Sequence, residues 1–426
     1  MKRSSIAAVI TGIFAITLVL VVCLFYLVST TPSFGALGAE VLRNSIGDRP
    51  VAILEMVYLQ VQDNIQQTRY GLGIEQAQAP WEVEQYQTPT SLKNEPTETL
   101  IATSRSEKKQ PAEFFDASTP TAGMYQGIGS PSATAEPATP TIEPTPTQWL
   151  PVQIETSGSL EGEGIWSPYI HNADGETVAY RTFVQPDPDR PYSIVAIVAF
   201  DLSKIRLNYV LGFEEPYNPE APKRSGKIPE EHKTPGVLLA AFNGGFKSQH
   251  GGSGAMQSGL VVLPARDGLG TVAMYQDGSL ELGEWGTEIV DTGNMAAWRQ
   301  NGPLVVQDGE INPRIYNNDP KDWGYTVDDV SPTLRSALGI SEDQSTLYYL
   351  AGPKMTMEAL AKSMLEARVW DGIQLDINNY WVHFIAYPPD LSDLQPEPLL
   401  HELMIENLDR YLYAYGRDYF YVTPRY

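Results

Sequence analysis

A short polar segment in the middle of the 426-residue chain has the residue types of a ligand-binding loop. Asn243, Gly244 and Gly245 directly follow an apolar run at residues 237–242. Two adjacent glycines let the backbone turn sharply and let a ligand approach the backbone amides closely. The side-chain amide of Asn243 can both donate and accept hydrogen bonds. The segment therefore predicts either a binding loop for a polar ligand or a tight turn, and the residues alone leave both open.

Two further segments place polar groups beside predicted strands. Asn301 and Gly302 precede a short hairpin at residues 304–309, and taken alone they indicate only a turn. Arg335 introduces the apolar strand at residues 336–340. Its planar guanidinium suits the oxygens of phosphate or carboxylate, but it can equally form an ion pair with one of the chain's acidic residues. Both interpretations of Arg335 remain open at this point.

Asp376 ends a predicted strand and offers a carboxylate for acid–base chemistry. Asp371 lies five positions earlier, which places the two side chains on opposite faces of the strand and argues against a catalytic acid pair. We therefore assign Asp371 to a turn or a helix cap. Asn378 follows closely, so Asp376 and Asn378 could share a calcium ion through oxygen ligands. The histidines lack the spacing of a zinc motif, so no cofactor is predicted and calcium stays an alternative.

Short β-like segments bounded by Gly, Asp, Asn and Pro must position these residues. The predicted strands are 177–184, 193–201, 204–210, 237–242, 259–263, 271–275, 304–307, 336–340, 346–350 and 372–376. Asp-Gly pairs at 267–268, 277–278 and 308–309 predict hairpin turns. Many strands without a regular alternation of strand and helix predict a mixed, strand-rich α+β domain.

Two helices are predicted inside this domain, at residues 357–368, with Thr356 as the N-cap, and at residues 399–412. The aromatic tail at 411–421 alternates in a way that is typical of a strand with one face in the core, although its rings could also stack on sugars. We place the single globular domain at residues 151–426.

The N-terminal segment, residues 1–35, is predicted to be a transmembrane anchor. Lys2 and Arg3 precede an apolar run at residues 6–28, which is about as long as the ~20 residues that cross a bilayer. Positive charge at this end favours its retention in the cytoplasm, which places the rest of a single-pass cell-membrane protein outside. Small residues at 36–39 leave a cleaved signal peptide as the alternative.

Two appendages separate the anchor from the domain. Residues 36–71 are predicted to form an amphipathic helical stem, because Val51, Leu54, Tyr58, Val61 and Ile65 recur at helical spacing. Such a stem could associate with itself or rest near the bilayer. Residues 72–150 are rich in Pro, Thr, Ser and Gln, cannot bury enough apolar surface to fold, and are predicted to be a disordered linker.

Composition excludes several classes of function. The net charge is −23, and no Lys/Arg-rich run offers the basic face that nucleic acid requires. The single cysteine, Cys23, lies inside the apolar N-terminal run, so the chain cannot form an internal disulfide or a cysteine-based metal site. The fold must therefore be held together by its core.

In their order and spacing, the segments around Asn243, Asn301, Arg335 and Asp376 resemble the phosphodiester glycosidase family over roughly residues 170–390. The family pattern is an Asn-Gly-Gly-Phe element, an Asn-Gly turn, an Arg-x-Ala-x-Gly-Ile strand, a helix, and a strand that ends in Leu-Asp. The family includes bacterial members associated with exopolysaccharide. The resemblance implies an α+β hydrolase that cleaves the bond between a sugar and phosphate in an envelope glycan or exopolysaccharide.

The resemblance also implies roles for individual residues. Asp376 would be the base or an electrostatic stabiliser, and Arg335 would clamp the phosphate. Asn243, together with the amides of Gly244 and Gly245, would bind sugar or phosphate. Asn301 and Asn378 complete the predicted substrate-binding set. Because phosphate is a good leaving group, a single carboxylate can suffice for this reaction.

The chain departs from the family pattern directly after Asp376. Where the family has a glycine-rich turn, this chain has Ile-Asn-Asn-Tyr-Trp at residues 377–381. Lys247 stands where relatives often continue with an aromatic residue. Bulky residues reshape the space that glycines leave open. These departures predict a different substrate or, as the alternative function, a non-catalytic glycan-binding module on the same scaffold.

Overall fold

The computed structural model describes residues 19, 23–82, 148–156, 158, 160–317, 319–324, 330–389 and 392–425. Most of the predicted anchor and most of the predicted linker lie outside the described residues. The end of the apolar N-terminal run, at residues 23–30, is helical. No helix in the described part of the chain has the length and apolar character needed to span a membrane.

The domain is built mainly from short antiparallel strands. In chain order, β1 to β18 span Ser167–His171, Thr177–Val184, Val195–Asp201, Ile205–Val210, Ala240–Asn243, Ala255–Gln257, Leu260–Leu263, Gly270–Tyr275, Leu280–Glu284, Met295–Gln300, Leu304–Gln307, Glu310–Ile311, Thr333–Ile340, Thr346–Met355, Asp371–Gln374, Phe384–Ala386, Glu397–Pro398 and Tyr419–Pro424. Helices α1 to α4 span Pro32–Ile46, Asp48–Gly71, Pro320–Trp323 and Met357–Glu366. The predicted strand-rich α+β character is confirmed.

The strands form three sheets. Sheet I has the order β1-β2-β3-β14-β13-β15-β11-β12, sheet II the order β7-β6-β10-β8-β9, and sheet III the order β17-β16-β5-β18-β4. In the centre of sheet I, Ala337 of β13 pairs with Leu350 of β14 on one side and with Gln374 of β15 on the other. The predicted segments around Arg335 and Asp376 are therefore direct neighbours in one sheet.

Sheet I is buried on both faces, which explains why β13 is apolar along its length. On one face, Leu360 and Met364 of α4 pack with Tyr348 and Leu350 of the sheet. The opposite face packs against sheets II and III in a second core, which contains Leu338, Val272, Phe242, Phe384 and Phe420. Strand β5, which ends at Asn243, thus packs against the sheet that contains β13 and Arg335.

One of the two predicted domain helices is confirmed and one is wrong. Thr356 caps α4, because its hydroxyl accepts a hydrogen bond from the Ala359 amide at 3.1 Å. Residues 399–412 instead form turns that end in the short 3₁₀ helix Arg410–Leu412. Local bonds fix these turns, since the Arg410 guanidinium donates to the carbonyls of Glu406, Asn407 and Tyr380.

Two of the three predicted hairpin turns join paired strands. The turn at 277–278 connects β8 and β9, and the turn at 308–309 connects β11 and β12. The turn at 267–268 is not a hairpin, because β6 and β10 lie between β7 and β8 in sheet II. The aromatic tail lies in the core, where Tyr411, Tyr419 and Tyr421 pack together.

The predicted stem helix is present as α2, but only part of the predicted apolar stripe is buried: Val51 is 2% exposed, and Tyr58 packs beside Leu59. Leu54, Val61 and Ile65 of the predicted apolar stripe are 56%, 41% and 47% exposed. The buried face also contains Leu59 and Asp63. The helical periodicity was sufficient to predict the helix, but it did not predict that a buried carboxylate would hold it on the domain.

Candidate active site

Asp376 lies at the point where three distant segments of the chain meet. Its carboxylate Oδ2 is 2.6 Å from Nη2 of Arg417, and its Oδ1 accepts hydrogen bonds from the amides of Ile377 and Asn378 at 2.8 and 3.0 Å. Its backbone carbonyl accepts from both the amide and the hydroxyl of Ser336, each at 3.0 Å. Asp376 is 5% exposed, so its carboxylate is held in a nearly fixed position.

Arg417 connects Asp376 to the glycine loop. The same Nη2 donates to the carbonyl of Gly245 at 2.9 Å, and the guanidinium lies 4.9 Å from the ring centroid of Trp381. Burial by itself would lower the pKa of Arg417, but the carboxylates of Asp376 and Asp418 outweigh burial and raise it. Arg417 is therefore a permanently charged group beside the Asp376 carboxylate.

The glycine loop is held by the next residue, Asp418. The Asp418 carbonyl accepts from the Gly244 amide at 3.1 Å, and its Oδ2 accepts from the Gly245 amide at 3.4 Å. Oδ2 also accepts from Nε of Arg299 at 2.7 Å and from the hydroxyl of Tyr209 at 3.0 Å. Both glycine amides thus bond to Asp418, and their predicted role in binding a ligand stays a prediction.

Gly245 is required at its position by the close approach of its neighbours. A Cβ atom there would lie 2.7 Å from Oδ1 of Asn301 and 2.9 Å from Nη2 of Arg299. Arg299 is fully buried and donates to the Phe246 carbonyl at 2.7 Å. A side chain at Gly245 would therefore force the buried side chains of Asn301 and Arg299 to shift.

The predicted binding residue Asn243 bonds entirely to its neighbours. Its Nδ2 donates to the carbonyl of Gly244 and to the hydroxyl of Ser336, both at 3.0 Å. Its Oδ1 accepts from the Tyr349 hydroxyl at 3.0 Å and from the His383 amide at 3.1 Å. In this structure Asn243 joins sheet III to sheet I, and its role as a substrate-binding residue is not tested.

Asn301 and Asn378 also make internal hydrogen bonds. The Asn301 side chain accepts from the Phe246 amide at 2.8 Å and donates to the carbonyls of Gln374 and Leu375 at 2.6 and 2.9 Å. The Asn378 carbonyl and side-chain oxygen accept bonds within the turn at 378–382. Asn301 therefore ties the glycine loop to the strand before Asp376, and Asn378 shapes the turn after it.

Arg335 points away from Asp376 and into the protein. It donates to the Met355 carbonyl at 2.9 Å, to Oε1 of Gln374 at 2.7 Å and to the Ser331 carbonyl at 3.2 Å. These acceptors are neutral, and Arg335 is fully buried. A phosphate would have to displace them, so the phosphate clamp at Arg335 remains a prediction that the geometry does not favour.

Helix α2 lies over the site. Leu59 packs with Phe246 and Ile377, which directly follow Gly245 and Asp376. Asp63, fully buried, accepts from Nε of Arg190 at 3.0 Å and from the Tyr192 hydroxyl at 2.8 Å. Access to Asp376 from this side therefore requires displacement of α2.

Two cavities in the described part of the chain lie away from Asp376. One of about 420 Å³ lies beside the end of α2 and is lined by Gln67, Tyr70, Arg190 and Tyr192 among others. One of about 300 Å³ lies at the edge of sheet I and is lined by residues that include Tyr169, His171, Pro388 and Glu397. Neither contains a residue of the predicted site.

Calcium binding at Asp376 and Asn378 stays a prediction. In the described part of the chain, carboxylate oxygens of Glu288, Asp308 and Asp371 lie within 4.8 Å of one another, at a different place. The Asp371 carboxylate accepts from the amide of Asp308 at 3.1 Å, so it stabilises the β11–β12 turn. Asp371 itself is the first residue of β15, so the prediction that it lies in a turn or a helix cap is wrong, although its carboxylate binds the neighbouring turn.

Three charged residues of the site were not predicted from the sequence. Arg417 and Asp418 precede the last strand, and Arg299 lies in β10 of sheet II, one residue before its end. The available signal was the occurrence of Arg417 and Asp418 as an adjacent charged pair directly before an aromatic run. Buried charges of this kind require partners, but the sequence does not say which carboxylate pairs with which guanidinium.

The site belongs to a strand-rich α+β domain with a buried carboxylate–guanidinium pair where its sheets meet. Residues 237–376 match the family model described as phosphodiester glycosidase. The match runs from the strand before Asn243 to Asp376, and the resemblance drawn from the sequence is thereby confirmed for this segment. Trp381, Arg417 and Asp418 lie outside it.

Three solved structures are among those with a similar fold over more than half of this chain. The zebrafish N-acetylglucosamine-1-phosphodiester alpha-N-acetylglucosaminidase catalytic domain, auto-inhibited by its pro-peptide, is 14% identical, with a TM-score of 0.34 over 65% of this chain and 97% of its own. A hypothetical protein from Synechocystis is 10% identical, with a TM-score of 0.35 over 61% and 64%. A putative exported protein from Burkholderia pseudomallei is 10% identical, with a TM-score of 0.25 over 55% and 74%. The curated proteins contain no match.

Proposed function

We propose that the domain is a hydrolase that cleaves the glycosidic bond between a sugar and a phosphate group, with Asp376 at the reacting centre. The observation that carries this proposal is the meeting of the three family segments at Asp376, whose backbone carbonyl accepts from Ser336 and whose carboxylate pairs with Arg417. Asn243 bonds to Ser336 at 3.0 Å, Ser336 bonds to Asp376 at 3.0 Å, and Arg417 joins Asp376 to Gly245.

The pairing of Asp376 with Arg417 suits this chemistry. In the reaction, water attacks the anomeric carbon, the bond from that carbon to the bridging oxygen breaks, and the phosphate leaves with that oxygen. The Asp376 carboxylate can accept the proton of the attacking water or stabilise positive charge that develops on the sugar. The guanidinium of Arg417 can stabilise the negative charge of the departing phosphate.

Loss of turnover in Asp376→Asn tests this proposal. The full chain would be offered a panel of sugar 1-phosphodiesters, and the released reducing sugar would be measured. We expect release to fall by about 10²-fold or more in Asp376→Asn. The control is Asp371→Asn, at the start of β15, the strand that precedes Asp376; this variant should retain turnover. Turnover equal to wild type in a folded Asp376→Asn protein would contradict the proposal.

A non-catalytic glycan-binding module is the second candidate. It is favoured by Trp381, whose ring lies over the Arg417 guanidinium where the family pattern has small residues. An aromatic ring beside charged groups is a common surface for sugars. Binding of a glycan phosphate in calorimetry, with no sugar released at any pH, would support this module against the hydrolase.

We further propose that the domain acts outside the cytoplasm on an envelope glycan or exopolysaccharide, anchored in the cell membrane by the N-terminal segment. The apolar run at residues 6–28 and the positive charges before it support this placement. Protease added to intact cells should then digest the domain at residues 151–426. Protection of the domain until the cells are lysed would overturn this placement.

A further inference from the structure

Residues that set this chain apart from the family pattern converge beside Asp376. Lys247 and Trp381 are such departures, and Arg417 lies outside the matched segment. The ammonium of Lys247 lies 5.8 Å from the ring centroid of Trp381, and the guanidinium of Arg417 lies 4.9 Å from it. Two cations from distant parts of the chain thus share one aromatic ring next to the proposed reacting carboxylate.

Arg417 retains an unused donor at this place. Its two hydrogen bonds, to Asp376 and Gly245, both come from Nη2. Its Nε is buried and has no hydrogen-bond partner among the described residues, and the residue is only 8% exposed. A buried N–H of a guanidinium without an acceptor is costly, so it indicates an acceptor that the chain itself does not supply.

Lys247 is bound to an anion of the chain itself. The carboxylate of Glu40, in α1, lies 3.0 Å from its ammonium, and the two side chains are 45% and 16% exposed respectively. Glu40 lies outside the segment that matches the family model, and its carboxylate is the anion bound to Lys247. An ion pair this exposed adds little to stability, so a ligand with more charge can displace it.

Several positive charges lie close to one another in a protein of net charge −23. His250 shows this, because its pKa falls to about 4, first through burial and then through the positive charges of Arg43, Arg417 and Lys247. Asp48 opposes this effect. Grouped cations favour a ligand that carries more than one negative charge, although such a ligand competes here with the carboxylates of Asp376, Asp418 and Glu40.

We propose that Lys247 and Arg417 form an anion site for the phosphate group of the substrate, beside the ring of Trp381, and that Glu40 occupies this site in the structure. The identity of the anion as a substrate phosphate rests on the proposed function. A phosphate oxygen would replace the Glu40 carboxylate at Lys247 and would satisfy the Nε of Arg417. The neighbouring Asp376 would then face the sugar attached to that phosphate.

Titration of inorganic phosphate into the full chain by calorimetry tests the site without turnover. Lys247→Met should weaken phosphate binding by about tenfold, because it removes one charge-assisted hydrogen bond. Glu40→Gln should strengthen binding several-fold, because the competing carboxylate loses its charge. These opposite changes distinguish a binding site from a loss of folding, which would weaken binding in both variants.

A matched ion pair elsewhere provides the controls. Lys204 and Glu176 form an ion pair with side-chain exposures of 23% and 48%. Lys204 lies in the turn between β3 and β4, and Glu176 directly precedes β2. Lys204→Met and Glu176→Gln should leave phosphate binding at the wild-type value. If Glu40→Gln and Lys247→Met also bind phosphate as the wild type does, the anion site is overturned.

The two proposals fail in different ways. If the variants change phosphate binding as expected but no sugar phosphodiester is cleaved, the anion site stands and the hydrolase is wrong. If sugar is released at the same rate and with the same KM in wild type and Lys247→Met, and phosphate binding is unchanged, the hydrolase stands and the anion site is wrong.

Discussion

The guanidinium of Arg417 and the carboxylate of Asp376 form a buried ion pair at 2.6 Å, although 41 residues separate them in the chain. The pair fixes the end of β15 against the segment that enters β18. It therefore serves the stability of the domain as well as the proposed chemistry, and these two contributions can be separated experimentally.

We expect a double-mutant cycle on this pair to show strong coupling. Asp376→Asn or Arg417→Met alone leaves one buried charge without its partner and should lower the free energy of unfolding by about 3 kcal/mol. The double variant should lose clearly less than the sum of the two, as measured by urea denaturation. Simple additivity of the two losses would show that the pair is not coupled.

Gly245→Ala is expected to destabilise the domain by about 1–3 kcal/mol, because the new methyl group would meet Asn301 and Arg299. Gly38→Ala in α1 is the control, since a Cβ there meets no atom within 4 Å. That variant should be neutral or gain up to about 1 kcal/mol of helix stability. Thermal unfolding of both variants measures the contrast, and equal melting temperatures would contradict the close packing at Gly245.

Much of the fold was predictable from local pattern. The strands at 177–184 and 304–307 were predicted with their observed bounds, and Thr356 was predicted as the cap of α4. These signals act within a few residues and need no knowledge of partners. The helix predicted at 399–412 is wrong although Leu400, Met404 and Tyr411 are buried at helical spacing, because this segment folds as successive turns that place these side chains in the core.

The roles of side chains were much less predictable, since they depend on residues far along the chain. Asn243 has the chemistry of a binding residue, but Tyr349 and His383, 106 and 140 residues away, occupy its oxygen. Arg335 has the chemistry of a phosphate clamp, but its guanidinium already donates to the Met355 carbonyl and to the side chain of Gln374. The sequence predicted which segments converge, and only the structure identified Arg417 as the cation beside Asp376.

Asp63→Ala should release α2 from the domain. The substitution leaves the buried hydroxyl of Tyr192 and Nε of Arg190 without their acceptor, while Nη1 of Arg190 keeps Asp187, so the helix loses its buried polar contact. We expect faster cleavage by a protease between residues 48 and 82, measured by mass spectrometry. The neighbouring Asn64 is exposed, so Asn64→Ala should be cleaved at the wild-type rate. Identical cleavage of the two variants would show that Asp63 does not hold the helix.

The acidic cluster at the β11–β12 turn predicts a pH-dependent gain in stability. Burial, assisted by the charges of Glu288 and Asp308, raises the pKa of Asp371 to about 6, although the Asp308 amide opposes the shift. The folded state thus binds this proton more tightly than the unfolded state, whose pKa is near 3.8. The stability that the protonated Asp371 contributes to the folded state is fully present below the unfolded pKa and is lost as the pH rises through about 6.

Asp371→Asn should therefore be more stable than wild type at pH 7.5, and the difference should disappear near pH 4. Asp343→Asn is the control of opposite sign. Hydrogen bonds from Ser341 and Ser345 lower the pKa of Asp343, so this variant should be less stable than wild type at pH 7.5 and approach it in acid. Urea denaturation of both variants at the two pH values measures this. If Asp371→Asn is less stable at pH 7.5, the expectation is wrong. The hydrogen bond that the Asp371 carboxylate accepts from the Asp308 amide would then stabilise the fold by more than burial and the charges of Glu288 and Asp308 destabilise it.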